Sequence, residues 1–416
     1  MAAKYIPFSP NSPVYSGMFA GRDREIKRID ENLLQTKNGN PTHMLIVGER
    51  GIGKSSLMLV ANYFAKGKDS GDEGAHNFLT IQLSVSNGLN LIDLAVKINR
   101  EVKREFQKDN KAIGTIQKFW GFLKRFEAAG VAYKANGIAE RESEIVDDLI
   151  YSIADTIKAL TTQTAVSELG LVRQKDGILL LIDEVDNASR ELHIGTFLKN
   201  LTEKLVIENC SKLVIILAGL PRAIDVLRES HESALRLFEE FELLPLTESE
   251  VKDVIESGIE EYNNKYENSP ISVDEKAFHD IYIFSEGYPH FVQQIGASVF
   301  LTDDDNHITS EDVDKAMFKK DGALDIIGDR YYKDLYYNRI KGDSYRRILK
   351  IMAQDWSAWV SKEKIKESFK GKSTTLDNGI KALCDRNIIL KKEGTRGQYR
   401  LQWASFAFWI KNYTKI

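Results

Sequence analysis

The chain has 416 residues, 43% of them hydrophobic and 28% charged, with a net charge of −4, which predicts two to four domains at about 100–200 residues each. Apolar runs such as Ile178–Ile182 and Leu213–Ala218 are far too short to span a bilayer, and no apolar stretch follows a basic start; a cytoplasmic protein with no membrane partner is therefore expected, with Cys210 and Cys384 as reduced core thiols. The charge is uneven: Asp343–Ile416 holds 16 Lys/Arg against 7 Asp/Glu, which leaves −13 for Met1–Gly342.

In chain order, Met1–Ser16 reads as an extended arm, reaching to about residue 18, because it holds three prolines and several Ser/Asn. Ile26, Ile29, Leu33 and Leu34 recur at helical spacing and predict a helix over Asp23–Thr36. Short apolar strands follow at Met44–Val47 and Phe78–Leu83, then an amphipathic helix at Leu91–Phe106. Between Lys111 and Ile138, Phe119, Trp120, Phe122, Leu123 and Phe126 stand among basic residues. This reads as an insertion, either a helix packed on the main domain or a contact element for DNA or another subunit. A helix over Ser143–Leu160 and strands over Gly177–Ile182 and Lys212–Ala218 complete an α/β pattern, the strands apolar enough to be buried on both faces of a parallel sheet. After Pro245 the strand pattern stops. Thr247 with Glu250, and Ser272 with Glu275, have capping-box spacing, and Thr309–Phe318 continues a helical lid over about 245–330, followed by a linker through Tyr331–Gly342.

Gly48-Glu49-Arg50-Gly51-Ile52-Gly53-Lys54-Ser55 matches G-x-x-x-x-G-K-[ST] between a strand and the helical stretch that opens with Ser56. In such a loop the backbone N–H groups turn onto phosphate oxygens, helped by the positive end of the following helix. Lys54 would reach the terminal phosphates of ATP or ADP, and Ser55 would ligate Mg²⁺. The strand Ile178–Ile182 delivers Asp183 and Glu184 at its C-terminal end, the edge at which open α/β sheets bind ligands. Asp183 would hold the metal and Glu184 would polarise the attacking water; the plain alternative is that Glu184 and Asp186 are simply solvated.

Several further stretches carry a family resemblance. Phe19-Ala20-Gly21-Arg22-Asp23-Arg24-Glu25-Ile26 resembles the opening of AAA+ ATPases related to replication initiators and origin-recognition subunits, and of the signalling ATPases called STAND. That resemblance implies that Phe19, Gly21 and Arg22 line the adenine. Leu217–Pro221 is similar to the same position in transposition-regulator ATPases, and Arg236 falls where these families place an arginine that reaches a neighbouring subunit's γ-phosphate. A surface salt bridge is the other reading of Arg236. Gly287-Tyr288-Pro289-His290 resembles the glycine–proline turn of the lid, which would bring Pro289 and His290 to the nucleotide. Two departures stand out: Ala218 and Gly219 replace the polar sensor of AAA+ motors, and His290 replaces a lid arginine. The resemblance thus implies a slowly hydrolysing, oligomerising switch rather than a processive motor.

The segment 343–416 has the layout of a winged helix: helices at Tyr345–Ala353, Lys362–Phe369 with Ser361 as cap, and Thr374–Arg386, then strands Ile388–Lys392 and Gln398–Gln402 around a glycine-rich wing. Lys370, Lys372, Ser373, Thr374, Lys381, Lys391, Lys392 and Arg396 could hold duplex DNA phosphates, whereas Trp403, Phe406, Phe408 and Trp409 read as core or interface. The expected protein is an α/β P-loop AAA+ ATPase with a helical lid and a winged helix. It would assemble with ATP and act on or near DNA. The alternative is a STAND-like signalling ATPase, for instance in phage defence, whose winged helix is a protein-interaction or autoinhibitory module.

Overall fold

The computed structural model describes residues 5–13, 19–67, 76–106, 114, 117–121, 139–163, 169, 171, 173–340, 342–355, 359–386, 388–392, 394–395 and 397–414. It divides into two units, Arg22–Leu244 and Met1–Gly21 together with Pro245–Ile416.

The unit Arg22–Leu244 is a parallel sheet between helices. Its strands are β1 (His43–Gly48), β2 (Phe78–Ser84), β3 (Gly177–Asp183), β4 (Leu213–Gly219) and β5 (Phe238–Leu243), in the spatial order β2-β3-β4-β1-β5. Four were legible as apolar runs. The fifth was not, because an edge strand with one neighbour alternates the exposed Glu240 and Glu242 with Phe241 and Leu243. The helices are α1 (Asp23–Lys37), α2 (Lys54–Ala65), α3 (Leu91–Glu105), α4 (Ala139–Thr161), α5 (Ile194–Ile207) and α6 (Ala223–Ser230). Ile178, Leu180 and Ile182 join Leu213, Ile215 and Leu217 in one core with α3, α4 and α5. The period of two along a strand turns Leu179, Leu181, Val214 and Ile216 to the opposite face, where α1 and α2 pack. Of the expected insertion, Trp120 is buried and its indole N–H donates to Thr156 Oγ1 at 3.1 Å, a packed rather than a contact role; Phe122, Leu123 and Phe126 lie outside the described residues.

In the second unit the lid consists of α7 (Glu248–Lys265), α8 (Glu275–Ser285), α9 (Pro289–Thr302), α10 (Ser310–Phe318) and α11 (Ala323–Ile327). The Thr247–Glu250 capping box forms in both directions. The one expected at Ser272 does not: Ser272 belongs to a two-residue parallel ladder, β6 (Ser272–Val273) with β7 (His307–Ile308), and its hydroxyl pairs with His307 Nδ1 at 2.8 Å. Asp274 precedes α8 instead, so the lid is helical apart from this ladder. Nor is Tyr331–Gly342 an irregular linker. The helix started by α11 continues through π turns at Gly328–Tyr332 and Leu335–Arg339, and buries Tyr332 and Tyr336 against Trp409.

The N-terminal arm packs on the lid. Phe8 is buried beside Phe300, above Gly296, where a β-carbon would stand only 3.0 Å from its ring, and Gln293 Oε1 accepts the Ser9 N–H at 2.8 Å.

The C-terminal part has the element order expected of a winged helix, with α12 (Asp343–Met352), β8 (Val360–Ser361), α13 (Lys362–Ser368), α14 (Ser373–Asp385), β9 (Ile389–Lys391) and β10 (Gln398–Leu401), and an antiparallel sheet in the order β8-β10-β9. Ser361 caps α13 as expected, accepting the Lys364 N–H at 3.1 Å. A final helix, α15 (Ala404–Tyr413), buries Phe406 and Trp409, so these aromatics are core and not base-stacking groups. Among the described residues no helix is long and apolar enough to cross a membrane, and Cys210 and Cys384 are free thiols.

Candidate nucleotide site

The loop after β1 is built by backbone geometry. Gly51 and Gly53 take φ of 82° and 101°, the left-handed region that side chains disfavour, which lets consecutive N–H groups turn the same way ahead of α2. Ile52 is buried and anchors the loop; Gly48 leaves it room, since a β-carbon there would sit 2.8 Å from Ile52 Cγ2. Lys54, at the first turn of α2, folds back so that Nζ donates to the carbonyls of Gly48 and Glu49, both at 2.8 Å. Burial pushes its pKa below the usual lysine value, opposed by Asp183, Asp186 and Glu49. Glu49 is half-buried; Arg50 and Ser55 are exposed and Ser56 is half-buried.

β3 lies two strands from β1 in the sheet and carries its acids to the same C-terminal edge. There Ser55 Oγ donates to Asp183 Oδ2 at 2.9 Å. A hydroxyl and a carboxylate oxygen in contact, at the mouth of a loop rich in N–H groups, form the hard-oxygen donor set that suits Mg²⁺. The residues therefore fit a Mg²⁺–nucleotide. Glu184 is exposed, in the left-handed conformation (φ 57°, ψ 36°), with its N–H bonded to Asp183 Oδ1 at 2.8 Å. Asp186 is not the solvated acid that its sequence position allowed. It is buried, and its Oδ1 accepts the Leu220 N–H at 3.0 Å.

Arg22 comes to the loop from the outside: its guanidinium donates to the carbonyls of Ile52 at 3.3 Å and Leu244 at 2.5 Å, tying the loop to the end of β5. Arg236 is exposed in the short turn before β5. Phe19, Gly21, Pro289 and His290 belong to the other unit. There Gly21 has φ 70° and no space for a side chain beside Glu250, Pro289 opens α9 at the position proline favours, and the His290 ring lies 5.1 Å from that of Tyr331. Sequence reasoning did not single out Arg222, which lies just past the end of β4 and donates through Nε to the Asp186 carbonyl at 3.0 Å.

A five-stranded parallel sheet in this order, with a glycine loop after β1 and paired acids after β3, followed in the chain by a helical lid and a small C-terminal α/β part, is the AAA+ P-loop fold. Solved structures agree. The chain is similar to the Walker-type ATPase paby2304 of Pyrococcus abyssi, with 16% identity, a TM-score of 0.53, and coverage of 98% of this chain and 100% of that one. It is also similar to the Aeropyrum pernix ORC2 protein in its ADPNP–ADP complexes, with 14% identity, a TM-score of 0.57, and coverage of 97% and 95%. The ADP form of that protein gives 12% identity and a TM-score of 0.51 over 95% and 93%. No protein-family model and no curated protein sequence matches the chain.

Proposed function

We propose that this protein is an ATP-binding, slowly hydrolysing AAA+ switch that oligomerises with ATP and contacts duplex DNA through its winged helix. The observation that supports the reading best is the Ser55–Asp183 contact at the mouth of the glycine loop, which brings together the two side chains expected to hold Mg²⁺ beside a nucleotide. Mg²⁺, held by Ser55 and Asp183, would neutralise charge on the phosphates. Lys54 exchanges its two loop carbonyls for phosphate oxygens on binding, and Glu184 orients water from its fixed backbone position.

Arg236 acts in trans in this reading. It precedes β5 at the edge where Phe238 pairs with His43, whereas the loop leaves the opposite edge, where Leu243 pairs with Gly48. Six strand residues separate the two ends, roughly 20 Å, further than an arginine reaches. In the winged helix Lys370, Lys372, Ser373, Thr374, Lys381, Lys391 and Lys392 are all exposed, while Lys362 is committed to Asp377 at 2.8 Å; Arg396 lies outside the described residues. This supports phosphate contacts over base reading.

Nucleotide binding and phosphate release on two variants test the site. Lys54→Ala should lose binding, whereas Glu184→Gln should bind ATP and stop turning it over, because one side chain meets phosphate and the other only water. Wild-type hydrolysis by Glu184→Gln removes that residue from the mechanism. Tight retention of ADP with no affinity for duplex DNA would instead favour the signalling reading.

A further inference from the structure

We propose that Asp186 and Arg222 form a positioning latch that holds Glu184. The proposal rests on the ATPase reading above and deepens it. Glu184 adopts a left-handed backbone conformation that residues with a β-carbon visit rarely, so the surrounding structure has to impose it. Its own N–H is fixed by Asp183 Oδ1 at 2.8 Å, and its carbonyl accepts the Asn187 N–H at 2.9 Å, which closes a 3₁₀ turn over Val185–Asn187. What anchors that turn comes from beyond β4. The Arg222 guanidinium donates through Nε to the Asp186 carbonyl at 3.0 Å and through Nη2 to the same oxygen, while its Nε lies 3.8 Å from Asp186 Oδ2.

The carboxylate completes the tie in the other direction. Asp186 is only 6% exposed, and Oδ1 takes the backbone N–H of Leu220 at 3.0 Å. Side chain and main chain of one residue thus bind two successive parts of the segment that leaves β4. The arrangement also explains Gly219: a β-carbon there would stand 2.8 Å from Ala223 Cβ and 3.1 Å from Asp186 Oδ1, so no side chain fits at that position. A buried carboxylate is costly unless it is paired, and here Oδ1 is hydrogen-bonded to Leu220 while Oδ2 faces the Arg222 guanidinium at 3.8 Å. Here it connects the end of β4 to the turn that aims Glu184, so Asp186 and Arg222 are positioning residues that act through Glu184.

The experiment measures ATP turnover in the full chain, with dissociation constants for a non-hydrolysable ATP analogue and melting temperature alongside. Arg222 has a largely exposed side chain, so Arg222→Ala should fold, keep its melting temperature and bind the analogue within about threefold of wild type, while kcat falls on the order of 10- to 100-fold, the scale of a small misplacement at a reacting group. Asp186→Ala should lower kcat alike but also lower the melting temperature, because it strips the Leu220 N–H of its buried acceptor, and Asp186→Asn, which keeps that acceptor, should recover most of both. A merely structural role would not produce the decisive signature: in the Glu184→Gln background, Arg222→Ala should leave the residual single-turnover rate unchanged. Wild-type kcat in Arg222→Ala, a loss confined to nucleotide affinity, or a further loss of the same size on top of Glu184→Gln each overturns the latch. Turnover by the wild type no faster than by Lys54→Ala overturns the ATPase reading and the latch with it.

Discussion

Replacing Glu286 with glutamine should remove a pH dependence from the stability of the unit that holds the lid and winged helix. Glu286 follows α8 in the left-handed conformation (φ 49°), and its carboxylate accepts the N–H of Ala404 at the start of α15, with Arg400 Nη1 at 3.8 Å. Burial pushes its pKa from 4.5 up to about 7, against the opposing pull of the Ala404 N–H and Arg400. At 1.36 kcal/mol per unit, that shift corresponds to about 3 kcal/mol. The sign follows from proton binding: between pH 4.5 and 7 the folded state holds a proton that the unfolded chain has released. The contribution is therefore complete below the unfolded value and is lost as pH rises through the folded one. Glutamine keeps an acceptor for Ala404 and cannot ionise. Urea unfolding of wild type and Glu286→Gln, followed by the fluorescence of Trp403 and Trp409, gives a difference curve in which all other carboxylates cancel. The two proteins should be close to equal at pH 4.5, and glutamine should be favoured by about 3 kcal/mol at pH 8. Parallel pH profiles for the two proteins would refute the reasoning.

Three further outcomes are expected. Mixing Arg236→Ala with Lys54→Ala protein should restore part of the hydrolysis that each lacks alone, since a mixed interface can pair an intact loop with an intact arginine; normal hydrolysis by Arg236→Ala alone, or dead mixtures in oligomers that demonstrably form, ends the trans assignment. Lys391→Glu with Lys392→Glu in the full chain should weaken binding to all duplexes alike, and flatten the log–log salt dependence by about 0.9 per lost phosphate contact; an unchanged slope moves the winged helix to the protein-docking reading. Phe8→Ala, which empties the space beside Phe300 and Gly296, should cost about 3–5 kcal/mol in urea unfolding of the same unit, and a change below about 1 kcal/mol would show that the arm is not seated there.

The sequence by itself determined whatever rests on local pattern. The glycine loop, the apolar strands, the acids at the end of β3, the Thr247–Glu250 cap and the helices of the winged helix each depend on residues a few positions apart, so periodicity and spacing were enough to read them. Tertiary structure decided the rest. Strand β5 exists because β1 offers it a full ladder of hydrogen bonds, although its own alternation of Glu and Phe is ambiguous. Ser272 gave up a helix cap for a ladder with a residue 35 positions away, and the stretch after Gly328 became helical because Tyr332 and Tyr336 found Trp409. Asp186 and Arg222 show the limit most clearly. They are 36 residues apart, neither belongs to a motif, and whether an acid near a strand end is solvated or buried depends on which backbone groups the fold brings to it. Burying an unpaired carboxylate is prohibitive and burying a satisfied one is not, so its position becomes legible only once the Leu220 N–H and the Arg222 guanidinium are in place.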